Sequence, residues 1–194
     1  MIKQTKKFDT PESFLEYLNS KFNYGFIVNG KVEQENFNKY KTVSPEEFER
    51  IKTGVCWDFA EYEAKVFKEI FKYDFTIGKL VNGKFSLYYI QMDDNENCPT
   101  HTWLAYKTNN KVFVLESAWT SNRGIHEYSS EWDMINKYRD RWLEDYSIKY
   151  PLAIWKYKPF KKFNLTCTQY MDIIYDTGRV IYSTHPKIKA EKEI

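Results

Sequence analysis

Two periods divide this chain. In its first third, apolar residues recur every three to four positions. Phe14, Leu15, Leu18 and Phe22 follow Thr10-Pro11-Glu12, which predicts a capped amphipathic helix with Thr10 as N-cap and Pro11 at the first helical position. A second start, Ser44-Pro45-Glu46-Glu47, has capping-box spacing from Ser44 to Glu47 and opens a short helix ending near Thr53-Gly54. Between them, Tyr24 to Lys41 is rich in Asn and Gly and is expected as loop, with one short strand around Phe26 to Val28. From Cys56 to about Lys72 the residues Phe59, Ala60, Ala64, Val66, Phe67, Ile70 and Phe71 return at helical spacing. Asp58, Glu61 and Glu63 precede Lys65, Lys68 and Lys72 in this third helix, the charge order that complements a helix dipole.

Beyond Lys72 the period becomes two. Phe85 to Met92, His101 to Lys107 and Lys111 to Ser117 are short, aromatic and β-branched, separated by DDNENCPT and TNN, and read as consecutive antiparallel strands. Ser129 or Ser130 caps a helical stretch through Trp132, Ile135, Tyr138 and Trp142, and Pro151 to Tyr157 adds a strand. Thr166 then caps a helix through Tyr170, Ile173 and Ile174 to Gly178, which stands where a C′ glycine would, before the strand Val180 to Tyr182. Helices first and strands later predict an α+β fold. The expected organisation is one domain over residues 1–194, with 1–50 as a helical N-terminal extension.

Composition narrows the function classes. The 29 Lys and Arg nearly cancel the 27 Asp and Glu, leaving +2, which argues against a protein built mainly to grip nucleic acid. No apolar run approaches the roughly 20 residues of a membrane span. The first residues, MIKQTKKFDTPESFLEYLNSKF, lack the apolar core of a signal peptide, and a cytoplasmic location is expected. Cys56, Cys98 and Cys167 are odd in number and contain no C-x-x-C, so neither a disulfide framework nor a four-cysteine zinc site is expected, and no metal or organic cofactor.

Cys56 directly opens the third helix. Its sulfur belongs among unpaired backbone N–H groups at the positive end of the dipole, a placement that favours the nucleophilic thiolate. His101, at the head of a strand, is the expected base, and Glu116, at the end of the next strand, the expected third member. Strand parity tests the last pairing. A two-residue turn at Asn109-Asn110 makes His101 and Glu116 diagonal neighbours on one face; a four-residue loop from Lys107 to Asn110 sets them opposite; a three-residue loop separates them. Asn tolerates the positive φ of the shorter turn, so an even-numbered loop is expected.

A nucleophile at a helix start, a base on a strand and a carboxylate one hairpin away is the arrangement of cysteine acyl-transfer chemistry. Here the chain resembles the transglutaminase-like branch of the papain-like cysteine enzymes. The resemblance rests on Gly54-Val55-Cys56-Trp57-Asp58-Phe59-Ala60, on His101-Thr102-Trp103-Leu104-Ala105-Tyr106 and on Val112-Phe113-Val114-Leu115-Glu116, and covers roughly residues 50–120. It implies a papain-like fold, with the nucleophile helix packed on an antiparallel sheet, and a Cys56-His101-Glu116 triad acting on an amide in a peptide or protein. Glu116 departs from the Asp usual in that family. The family's oxyanion hole pairs the nucleophile's N–H with an upstream donor, for which Tyr24, Gln34 and Asn38 are all candidates.

Each feature also has a plainer reading. Free cysteine is among the most buried residue types, and Cys56 by itself reads as core. Cys98 is a loop thiol beside His101, and Cys167, at another helix start, is read as structural, the distant His185 being its only histidine. His126 is the rival base, expected as a loop histidine bonded to a neighbour. Trp57, Trp103 and Trp119 are groove or core. The run Lys156-Tyr157-Lys158-Pro159-Phe160-Lys161-Lys162 raises a nucleic-acid binder as an alternative, and a non-catalytic interaction module on the same fold is another.

Overall fold

The structure is a computed structural model that describes residues 8–34, 39–71, 85–92, 100–146, 152–184 and 188–190. Helix α1 spans Pro11–Lys21. Its N-cap Thr10 accepts the Ser13 N–H in a reciprocal capping box, and Pro11 occupies the first turn. Helix α2 spans Pro45–Ile51, capped by Ser44 through the Glu47 N–H and ended by Lys52 at φ 58°. Three short strands intervene: β1 (Asn23–Tyr24), β2 (Phe26–Val28) and β3 (Lys31–Glu33), the last two a hairpin turning at Asn29-Gly30. The N-terminal 50 residues are therefore not a purely helical extension. Strand β1 runs parallel to β4 (Thr53–Gly54), with Tyr24 opposite Gly54, and the expected loop is built into the approach to Cys56.

Helix α3 spans Cys56–Glu69, slightly shorter than expected. Beyond it lie β5 (Phe85–Met92), β6 (His101–Thr108), β7 (Lys111–Glu116), β8 (Gly124–Tyr128), α4 (Glu131–Tyr146), β9 (Leu152–Tyr157), α5 (Cys167–Thr177) and β10 (Arg179–Ser183). Six of these strands form one sheet in the order β10-β9-β5-β6-β7-β8, antiparallel throughout. Strand β8 was not expected; its sequence GIHEY is half-buried on both faces, so it lacks the alternation that marks a strand. Gly178 ends α5 in an extended conformation, φ −78° and ψ 154°, rather than as a left-handed C′ residue.

The sheet separates two apolar layers. Leu104, Tyr106, Leu115, Trp155 and Tyr157 face a core shared with α1, α2, α3 and α5. Trp103, Ala105, Val112, Val114 and Ile154 face Met134, Ile135, Tyr138 and Trp142 of α4. The architecture is thus α+β, with helices on both faces of an antiparallel sheet. Among the described residues no helix is long and apolar enough to cross a membrane.

Candidate active site

The start of α3 is built to bring Cys56 to its first position. Val55, the N-cap, is extended, and Cys56 enters the helix with no acceptor for its own N–H within the first turn. Asp58 closes the cap: its Oδ2 accepts the Val55 N–H at 2.8 Å, its Oδ1 accepts the Val43 N–H at 3.1 Å, and the Tyr40 hydroxyl donates to Oδ2. Gly54 is required by the space available. A Cβ there would lie 2.6 Å from Phe48 Cε2 and 2.7 Å from Asp58 Oδ2.

The β6–β7 hairpin supplies the other two residues in the expected register. Asn109 and Asn110 take φ 50° and 61°, both left-handed, and Thr108 pairs with Lys111 across a two-residue turn. His101 and Glu116 consequently share a face as diagonal neighbours, and His101 Nε2 lies 2.8 Å from Glu116 Oε2. With Nε2 so engaged, Nδ1 is the nitrogen left to face Cys56, whose sulfur is close enough to influence the imidazole. All three side chains are buried, Cys56 to 4%, His101 to 3% and Glu116 to 1% exposure, so the interactions among them are little screened by water.

Burial alone drives the His101 imidazole toward its neutral form. The Glu116 charge and the hydrogen bonds to Cys56 and Glu116 outweigh it and lift the imidazole to about 10. Burial likewise pushes Glu116 up, but the His101 charge, the His101 and Trp119 hydrogen bonds and the Tyr138 hydroxyl bring it below its ordinary 4.5. Both directions describe an ion pair, with Glu116 the anion. Its Oε1 accepts the N–H groups of Ala118 and Trp119 at 2.9 and 2.7 Å, while Tyr138 donates to Oε2 beside His101. Aromatic rings surround the imidazole: Trp142 is stacked with its centroid 5.0 Å away, and Trp119 meets it edge-on at 5.8 Å.

Several of these partners were not legible as site residues. Tyr138 and Trp142 read as the apolar stripe of α4, which they also are. Asp58, Glu61 and Glu63 lie toward the N-terminal end of α3 as the dipole argument expects, Asp58 in the first turn, but all three are buried. Glu61 accepts the Phe160 N–H with both carboxyl oxygens at 3.1 Å, and Glu63 accepts from Ser117 Oγ. The one available signal was spacing, since Glu63 follows Cys56 by seven residues and returns to the same helix face.

The remaining candidates sort by position. His126 lies on β8 opposite Val114, not in a loop, and its Nε2 is bonded to the Asn122 carbonyl at 2.7 Å. Cys167 is half-buried at the first position of α5, its thiol pushed up by burial and by the charge at Cys56. Trp57, Trp103 and Trp119 are all buried, and Trp57 stacks on Tyr170 at 4.4 Å. In the basic run Lys156 is paired with Glu131 at 2.7 Å, and Tyr157 is in the core. Of the upstream donors, Tyr24 is carried by β1 to within two residues of Cys56, whereas Gln34 is exposed beyond β3. Cys98, His185 and Asn38 lie outside the described residues. No group of three or more His, Cys, Asp or Glu side chains suited to a metal ion occurs among the described residues. Comparison of the chain with protein-family models and with curated proteins finds no match.

Proposed function

We propose that this protein is a cysteine-dependent amide hydrolase or acyltransferase, acting on a peptide or protein through Cys56, His101 and Glu116. One observation carries the reading: a single buried imidazole is bonded through Nε2 at 2.8 Å to a carboxylate and feels the sulfur of a buried, helix-opening cysteine. A transglutaminase-like, papain-like fold is the proposed frame, supported by a nucleophile helix packed against the antiparallel sheet that bears the other two residues.

The chemistry follows from these groups. Cys56, as thiolate beside the His101 imidazolium, attacks the amide carbonyl carbon, and the carbonyl π electrons move onto oxygen. The N–H of Cys56, at the first helical position, is the first proposed donor to that oxyanion, and Tyr24, opposite Gly54, is the upstream candidate for a second. When the C–N bond breaks, the imidazolium passes its proton to the departing amine and a thioester remains. Water or an amine then attacks the thioester, neutral His101 takes the incoming proton, and the Cys56 thiolate leaves. Glu116 keeps Nε2 protonated, which leaves Nδ1 to exchange the proton with sulfur and substrate.

Limiting iodoacetamide at neutral pH, followed by intact and peptide mass spectrometry, tests the reading. The expected result is modification of Cys56 ahead of Cys98 and Cys167, abolished at that site in Cys56→Ala. Preferential modification of either other thiol returns Cys56 to a core residue and favours the non-catalytic module.

A further inference from the structure

Glu63 is a buried carboxyl that the proposed reaction leaves unused. It lies two helical turns along α3 from Cys56, on the same face, at a rise of about 10 Å. Only 2% of it is exposed. Its partner, Ser117, directly follows Glu116, and the Ser117 hydroxyl donates to Glu63 Oε1. That short turn is held from every side. Glu116 Oε1 takes the next two N–H groups, at 2.9 and 2.7 Å, and Arg123 Nε donates to the Ser117 carbonyl at 2.8 Å.

We propose that Glu63 is a positioning residue of the active site: through Ser117 it locks the nucleophile helix against the turn that carries Glu116. The proposal rests on Cys56, His101 and Glu116 being the catalytic set. Cys56 and Glu116 come from two separate elements, α3 and the end of β7, and the imidazole must meet both. A shift of α3 along its axis by even 1 Å would move sulfur relative to imidazole, and a misplacement of that size costs on the order of 100-fold in rate. The Glu63–Ser117 bond opposes that movement.

The role requires an acceptor, not a charge. Burial pushes the Glu63 carboxyl well above its ordinary value and the Glu116 charge adds to this, against the Ser117 hydrogen bond and the His101 charge. Tyr138, the other titratable group coupled to it, is itself pushed up by burial and by the charges at Glu116 and Glu63. Burial thus favours the protonated form of Glu63, and an amide at the same place can accept the same hydrogen bond.

The test compares wild type with Glu63→Gln, Glu63→Leu and Ser117→Ala, reading the second-order rate of Cys56 alkylation by iodoacetamide from pH 6 to 9 together with the urea midpoint. Glu63→Gln is expected to label within about twofold of wild type, because it restores the acceptor. Glu63→Leu and Ser117→Ala are expected to label about tenfold more slowly at every pH. Ser117→Ala removes the bond from its other end and decides the matter if Glu63→Leu fails to fold. Wild-type rates in Ser117→Ala or in a folded Glu63→Leu, or a Gln variant as slow as Ser117→Ala, overturn the positioning role alone. A wild-type Cys56 that labels no faster than Cys167 overturns the catalytic reading on which it rests.

Discussion

Four donors converge on the Glu116 carboxylate: the His101 ring, the Tyr138 hydroxyl and two backbone N–H groups. A carboxylate has about four acceptor sites, so this one is filled. An amide cannot replace it. In Glu116→Gln the single oxygen stays with the two N–H groups, and the NH₂ is turned toward Nε2. Nε2 must then accept, which moves the ring proton to Nδ1, the wrong side for taking a proton from sulfur. The expected outcome is a folded protein whose Cys56 alkylation rate at pH 7 falls on the order of 100-fold or more, measured against iodoacetamide. Tyr138→Phe deletes one donor and keeps the ring. A hydrogen bond to a charged group contributes about 1.5–3 kcal/mol, so the urea-derived stability should drop by an amount in that range. With one donor fewer, Glu116 binds its proton more readily, and the acid limb of the alkylation profile should move to higher pH.

The elements differ in how openly the sequence announces them. Thr10, Ser44 and Thr166 cap helices where their spacing says they should, because N-capping is a contact among neighbours in the chain. The hairpin register was legible for the same reason: Asn109 and Asn110 accept left-handed backbone, and a two-residue turn leaves one pairing. The acids of α3 were opaque. Asp58, Glu61 and Glu63 have the same local pattern whether a helix dipole or a core surrounds them, and what decides is who meets them. Tyr40, Val43, Phe160 and Ser117 arrive from segments 15 to 99 residues away. Residues 53–64 are buried without interruption, so this end of α3 is enclosed on every side. Overpacking its entrance should therefore be costly. Gly54→Ala, whose Cβ has no room beside Phe48 and Asp58, is expected to lose about 1–3 kcal/mol in a urea titration, and Cys56 alkylation should slow with it.

Across the whole molecule these buried groups set the response to pH. Burial raises Glu61 from its ordinary 4.5 to about 8, against the Phe160 N–H and with the Asp58 charge. Asp58 rises from 3.8 to about 6, also chiefly by burial. In each case the folded protein binds the proton more tightly than the unfolded chain, so stability falls as pH climbs from the ordinary value to the raised one. His101 has the same sign: its contribution is complete below about 6.5 and is lost as pH rises through about 10. Glu116, lowered in the fold, has the opposite sign: it contributes above its ordinary 4.5 and loses that contribution in acid. Urea midpoints should accordingly be higher at pH 5.5 than at pH 9. Glu61→Gln keeps an acceptor for the Phe160 N–H without an ionisable group, and its midpoint should exceed that of wild type at pH 8.5 while approaching it at pH 5. The enclosed acids of α3 have a consequence for the solution as well. At pH 6 an unfolded chain has released the protons of Glu61 and Asp58, while the folded chain retains that of Glu61 and part of that of Asp58, so folding withdraws protons from the buffer. The calorimetric heat of unfolding then carries the buffer's own protonation heat, and scans in two buffers of different ionisation enthalpy would differ by that difference multiplied by the number of protons withdrawn.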